Sequence, residues 1–199
     1  MLNRNISFDD LNTPGMIQDK IITFEFSPNK DDRGEFTRII DFNEKKFKDS
    51  NLDSQQFCQF SFSRSLKKGT RRGLHLHLWP DSEIKIVKAL RGSFFDVVVD
   101  CRPNSKTFGK WQSFELDSEI GNGIVVPKGF AHGIETLVDD TLIFYAMDQP
   151  YTFSKDVTIS LVDPQIDIHW PSITPSITSV KDSNGMTLTS YIDLLRDKA

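Results

Sequence analysis

Cysteine is nearly absent: two residues in a chain of 199, Cys58 and Cys101, with neither CxxC spacing nor the density of a disulfide framework. Both are expected to be reduced thiols that pack and do not react. Long apolar runs are also missing, and none approaches the roughly 20 residues that span a bilayer. The first ten residues, MLNRNISFDD, mix charges with isolated apolar positions, so no secretory signal is expected. Positive charge is not in excess either. With 24 Lys and Arg against 28 Asp and Glu, the net charge is −4, which gives no global attraction to nucleic acid or to an anionic membrane. An anionic ligand must therefore be gripped by a local cluster of Arg and Lys. Together these absences imply a soluble, cytoplasmic protein.

Methionine is scarce at four residues, whereas phenylalanine is plentiful at sixteen, and short Val/Ile/Phe runs recur, a composition that favours strands over a helix bundle. The length suits one domain over residues 1–199, with a sizeable core and little room for a second.

In chain order, residues 21–26 (IITFEF) read as a strand, the SPNKDDRG cluster as a turn, and residues 36–40 as the second strand of a hairpin. Residues 42–51 have Phe42 and Phe47 at helical spacing and predict one short helix. Residues 56–65 alternate, with Phe57, Phe60 and Phe62 as the large side chains of a half-buried strand. Strands then recur every eight to twelve residues or so: LHLHL, EIKIVKAL, SFFDVVVD, WQSFEL, GIVVP, HGIETLV and LIFYAM. Arg91-Gly92, Asn122-Gly123 and Asp139-Asp140 are placed at turns between them. Even spacing of short strands with turn chemistry between them is the pattern of an all-β sandwich or jelly-roll barrel. Residues 154–180 read as loop and residues 187–198 as a closing helix with Leu188, Ile192 and Leu195 on one face.

His75 and His77 are two apart on a strand and so share a face, Lys85 lies on the next strand, and the PKGFAHG run places His132 just after a tight turn. Such side chains are costly to bury without partners, which argues for a wet cavity. The run Lys67-Lys68-Gly69-Thr70-Arg71 reads as a solvated loop, and His169 is given no role.

Several linked stretches occur in order: Arg72-Gly73-Leu74-His75, Lys85, Arg91-Gly92, Phe95-Asp96 through Cys101-Arg102, Thr107-Phe108-Gly109-Lys110-Trp111, Val126-Pro127-Lys128-Gly129-Phe130-Ala131-His132-Gly133, Tyr145, Tyr151 and Ser179-Val180-Lys181-Asp182. They closely resemble the dTDP-4-dehydrorhamnose 3,5-epimerase family, from about Asp32 onward. The resemblance implies a cupin-type jelly-roll barrel with a few short peripheral helices, a homodimer, a nucleotide-diphosphate sugar as substrate, and no cofactor or metal. It implies His75 as the base, Asp182 as its orienting carboxylate, Lys85 as the enolate stabiliser and Tyr145 as the acid. Arg33 and Arg72 would hold the diphosphate, His132 would line the sugar pocket, and Phe36 and Tyr151 would stack on the base. Gln59, Asp156 and Lys181 match further contact positions, and Asp96 a supporting one. The residue types suit the chemistry: hydrogens beside a ketone are acidic, so a neutral-range base and a group holding the enolate oxygen suffice.

Three positions depart from the family pattern. Arg38 stands where a glutamate is usual and Ser61 where an asparagine is usual, so a base other than thymine, such as guanine with its paired acceptors, stays open. His77 stands where a glutamine is common. With His75, Glu83 and His132 it meets the spacing of a metal-dependent cupin, an oxygenase or isomerase, and that reading stands beside the epimerase. A sugar-nucleotide 3,4-ketoisomerase and a binding cupin without turnover are the further alternatives.

Overall fold

The computed structural model describes residues 21–175 and 177–197. Twelve strands and three short helices follow one another: β1 (Ile22–Glu25), β2 (Asn29–Asp31), β3 (Gly34–Phe36), α1 (Lys45–Asp49), β4 (Gln59–Ser65), β5 (Arg71–His77), β6 (Lys85–Arg91), β7 (Ser93–Asp100), β8 (Trp111–Asp117), β9 (Asn122–Val126), β10 (Phe130–Thr136), β11 (Thr141–Met147), β12 (Asp156–Thr158), α2 (Val180–Ser183) and α3 (Leu188–Arg196). Two five-stranded antiparallel sheets, in the orders β1-β9-β6-β11-β4 and β12-β5-β10-β7-β8, face each other as a jelly roll. The all-β expectation holds. No helix among the described residues is long and apolar enough to cross a membrane.

Alternation along the strands sorts the apolar residues into three layers. Between the sheets, Val87, Ile124 and Ile143 of one meet Phe94, Val98, Leu116 and Ile134 of the other. The outer face of the first sheet, with Phe24, Ile86 and Val125, is covered by Phe47 of α1, Leu52 and Phe57. The outer face of the second sheet, with Leu74, Leu76, Val97 and Trp111, is covered by the chain from Ile159 to Ile166 and by Leu188 and Tyr191 of α3. The interior layer is apolar at one end. At the other end polar side chains replace it, and there a cavity opens.

Several local expectations need correction. The hairpin begins inside the SPNKDDRG stretch and ends at Phe36: β2 pairs with β3, and β1 pairs with β9. Residues 37–40 carry no strand, because β1 finds its partner in the barrel and the short arm closes on itself at Asp32-Arg33. Asn122-Gly123 begins β9 and makes no turn. The chain reverses at Gly121, whose φ is +80°, while Gly123 is needed for close packing, since a Cβ there would meet the Phe24 ring at 2.4 Å. Arg71 is not in a solvated loop: it is 2% exposed, its Nε donates to Glu135 at 2.5 Å, and its guanidinium lies 5.0 Å from the centre of the Trp170 ring. Of the two free thiols, Cys101 is buried as expected, whereas Cys58 is exposed and does not pack.

Candidate active site

A cavity of about 270 Å³ sits at the polar end of the barrel. The second sheet contributes Arg72, His75 and His77 from β5, His132 and Ile134 from β10, and Asp156 from β12; the first contributes Lys85 from β6, Tyr145 and Met147 from β11, and Gln59 and Ser63 from β4. Glu83, Tyr151 and Lys181 complete the lining. Arg72 and His75 are three apart, an odd spacing that strict alternation would send to opposite faces. They share the cavity because the pairing of β5 with β10 slips between Arg72 and His75, so that His132 stands opposite His75 while Ile134 stands opposite Arg72. The slip is centred on Gly73, at φ +122°, where a Cβ would lie 2.6 Å from the Gly133 Cα and 2.7 Å from the His132 carbonyl oxygen. No other residue fits that approach.

His75 Nε2 is 2.7 Å from Asp182 Oδ1. Asp182 is presented by α2, whose N-cap Ser179 accepts from the Asp182 amide at 3.0 Å. Burial alone would raise this carboxyl, but the hydrogen bond and charge of His75, with Ser179 and the Gly73 amide, take it below its ordinary value. An ionised carboxylate there fixes one imidazole nitrogen as the protonated one and leaves the other with a free lone pair.

His132 Nε2 is 2.7 Å from Asp96 Oδ2, a similar pairing in a different setting. Asp96 is completely buried, and burial pushes its carboxyl upward despite the opposing charges of His132 and Lys85. Its other oxygen has no hydrogen-bond partner. Tyr145 meets the His132 ring edge-on at 6.3 Å, and its hydroxyl is 3.4 Å from Ser63 Oγ. Burial, with the Asp96 charge adding to it, pushes the phenol up to about 12, so it stays protonated. Lys85 Nζ donates to the His75 carbonyl oxygen at 3.3 Å and pairs with Glu83 Oε1 at 2.9 Å. At the mouth, the Tyr151 hydroxyl donates to Asp156 at 3.2 Å, Lys181 also binds Asp156, and the Tyr151 amide donates to Gln59 at 2.8 Å.

Nine of the expected side chains thus line one cavity: Gln59, Arg72, His75, Lys85, His132, Tyr145, Tyr151, Asp156 and Lys181; Asp182 supports His75 from behind. Four do not join them. Arg33 is paired with Asp31 on the arm, Phe36 is 70% exposed, Arg38 is 3.4 Å from Asp41 and beside the Phe26 ring, and Ser61 stands opposite Tyr145 without lining the cavity. Ser63, Ile134 and Met147 were not anticipated. Ser63 was legible in principle, being two residues beyond Ser61 and so on the same strand face.

The donors of the metal-cupin alternative do not assemble. Among the described residues no three His, Cys, Asp or Glu side chains come together as a metal cage. His75 is turned to Asp182, His132 to Asp96, and His77, 3.6 Å away, to Glu83.

A cupin-type jelly roll with a cavity furnished for acid–base chemistry is the class that fold and site define. The family model described as dTDP-4-dehydrorhamnose 3,5-epimerase matches residues 16–190. A dTDP-4-dehydrorhamnose 3,5-epimerase from Sinorhizobium fredii is 43% identical over 79% of this chain and 80% of its own length. The structure of a dTDP-6-deoxy-D-glucose-3,5-epimerase from Legionella pneumophila in complex with dTDP-4-keto-L-rhamnose superposes with a TM-score of 0.75 at 33% identity, covering 90% of this chain and 92% of that one. A 3'-monoepimerase from Streptomyces bikiniensis in complex with dTDP-quinovose gives 0.78 at 26%, covering 87% and 86%. The chain belongs to the dTDP-4-dehydrorhamnose 3,5-epimerase family.

Proposed function

We infer that the protein inverts carbon 3, carbon 5 or both of a nucleotide-linked 4-keto-6-deoxy sugar, without a metal, as an isomerase of its family. The observation that carries this reading is the opposition of two proton-handling groups across one cavity, His75 on the second sheet and Tyr145 on the first, with Lys85 between the sheets' ends. The His75 imidazole takes the proton from the carbon beside the ketone, and the electron pair moves onto the carbon 4 oxygen. The Lys85 ammonium holds that enolate oxygen. The neutral Tyr145 phenol then gives a proton to the same carbon from the other face, which inverts it, and solvent restores both side chains.

The cavity suits the sugar, and the nucleotide lies outward past Tyr151 and Lys181, with Arg72 on the diphosphate. Relatives bound to dTDP-sugars support dTDP as the carrier. Arg33, Phe36 and Arg38 serve as nucleotide contacts only in a homodimer, in which the β2–β3 arm reaches the pocket of a second copy. Exposed Phe36 on the arm and outward-facing Phe60 and Phe62 on edge strand β4 support that arrangement.

The test is incubation of protein dialysed against a strong chelator with dTDP-, GDP- and CDP-linked 4-keto-6-deoxy sugars, followed by NMR of the ring protons. Inversion with the dTDP sugar is expected to persist after dialysis. Activity lost on dialysis and restored by iron, manganese or zinc overturns the metal-free reading. Unchanged base preference in Arg38→Glu removes Arg38 as the reader of the base.

A further inference from the structure

Glu83 lies just before β6, is 9% exposed at its side chain, and faces the cavity with a carboxylate whose two oxygens have different neighbours. Oε1 is 2.9 Å from Lys85 Nζ; Oε2 is 3.6 Å from His77 Nδ1, a buried nitrogen with no hydrogen-bond partner of its own. Residues 83 and 85 are two apart on extended chain, so their side chains share the inward face. The segment between them is pinned, because the Ile84 amide donates to Asp148 Oδ1 at 2.7 Å and the Asp148 amide donates to the Ile84 carbonyl at 3.2 Å. The His77 ring lies 6.5 Å from that of Tyr151.

A counter-charge stabilises the charged form of a lysine this deep, since burying an unpaired ammonium is costly. The side chain also has several rotatable bonds, so something must hold its end in one place if it is to meet a particular oxygen. Glu83 meets both needs, from a rigid backbone and at charge-assisted hydrogen-bond distance.

We infer that Glu83 is a positioning residue for the reaction, holding the Lys85 ammonium on the cavity wall where the enolate oxygen forms. This rests on the epimerase reading and adds to it a residue that acts only through Lys85. Glu83 forms no bond to substrate and exchanges no proton with it.

The experiment is a double-mutant cycle in steady-state kinetics on Glu83→Gln, Lys85→Ala and the pair, with melting temperatures measured alongside. Glu83→Gln is expected to lower kcat by about 10- to 100-fold while KM changes less than about threefold. In the Lys85→Ala background the same substitution is expected to cost less than about twofold, because the group it positions is gone. Equal losses in both backgrounds, or an unchanged kcat, overturn the assignment. If Glu83→Gln proves too unstable to assay, Glu83→Asp carries the test, since it keeps the charge but withdraws it: kcat is expected to fall with KM held, and a parental kcat overturns the assignment. Full turnover by Lys85→Ala overturns the enolate step and Glu83's role with it, whereas a disabled Lys85→Ala beside a fully active Glu83→Gln overturns the Glu83 assignment alone.

Discussion

His75 and His132 stand opposite each other in register, and each has a ring nitrogen 2.7 Å from a carboxylate, yet the two pairs are not chemically equivalent. The His75 side chain is 34% exposed and its partner's carboxyl is held low; the His132 side chain is 6% exposed and its partner's carboxyl is driven up by burial. An imidazole that must accept a proton gains from a partner that stays ionised, which favours His75 over His132 for the proposed role of base. Because the Asp182 value is depressed in the fold, its contribution to stability is complete above its ordinary 3.8 and is lost only as the pH falls through the lower folded value. Asp182→Asn is therefore expected to lower kcat by about 10²- to 10⁴-fold across the neutral range without removing an ionisation from the pH–rate profile there. A pH–rate series on the variant checks this, and disappearance of a neutral-range limb would show that Asp182 titrates where it should be constant. At this scale the sequence was informative wherever a residue type sat inside a linked motif, as with His75, Lys85 and Tyr145. It misled at Arg71, where adjacency to Lys67 and Lys68 suggested solvent, while the partner that buries it, Glu135, is 64 positions away.

The strands that carry the site were legible because both their faces are constrained. β7 and β10 alternate between the inter-sheet layer and the outer layer, and that alternation is written in their side chains. The arm β2–β3 is exposed along both strands, and β12 has only three residues, so neither carries a readable period. β12 falls inside residues 154–180, which read as loop, and the four-residue α2 that presents Asp182 begins at the last of them without a periodic signal. The placement of these elements comes from distant contacts, and Lys88 supplies one of them. It is fully buried on the outward face of β6, and its Nζ donates to the carbonyls of Arg38, at 3.2 Å, and Gly121, while lying 5.5 Å from the centre of the Phe26 ring. It thereby ties the chain after the arm to the β8–β9 turn. Burial pushes its amine down to about 8. A folded value below the unfolded one means that the fold binds fewer protons between about 8 and 10.5, so this group's contribution to stability rises with pH across that window. Lys88→Met is expected to cost about 1–3 kcal/mol at neutral pH, because those carbonyls lose their donor. It should also remove that rising component, as urea unfolding at pH 7.5 and 9.5 will report. An equally stable variant would mean that the arm is held without it.

For the whole molecule, the three-layer arrangement leaves Phe60 and Phe62 uncovered, at 59% and 69% exposure on edge strand β4. In sequence these residues read as large side chains of a half-buried strand, because alternation marks which side chains share a face and leaves open what covers that face. A second copy covering it would also protect an open sheet edge. Phe60→Ser together with Phe62→Ser is expected to shift the protein from dimer to monomer in sedimentation equilibrium and to weaken substrate binding more than it slows turnover. A parent protein that sediments as a monomer contradicts the shared-pocket arrangement.

The opposed imidazole and phenol are tested most directly by NMR of a dTDP-linked 4-keto-6-deoxy sugar in heavy water, following deuterium at carbons 3 and 5 with the parent, His75→Asn and Tyr145→Phe. The parent should wash deuterium into each carbon that it inverts. His75→Asn should wash in almost none, and Tyr145→Phe should still exchange the proton while accumulating little inverted sugar. Exchange at parental rates in His75→Asn, or exchange and inversion lost to the same degree in Tyr145→Phe, would contradict the assignment of base and acid to opposite walls of the cavity.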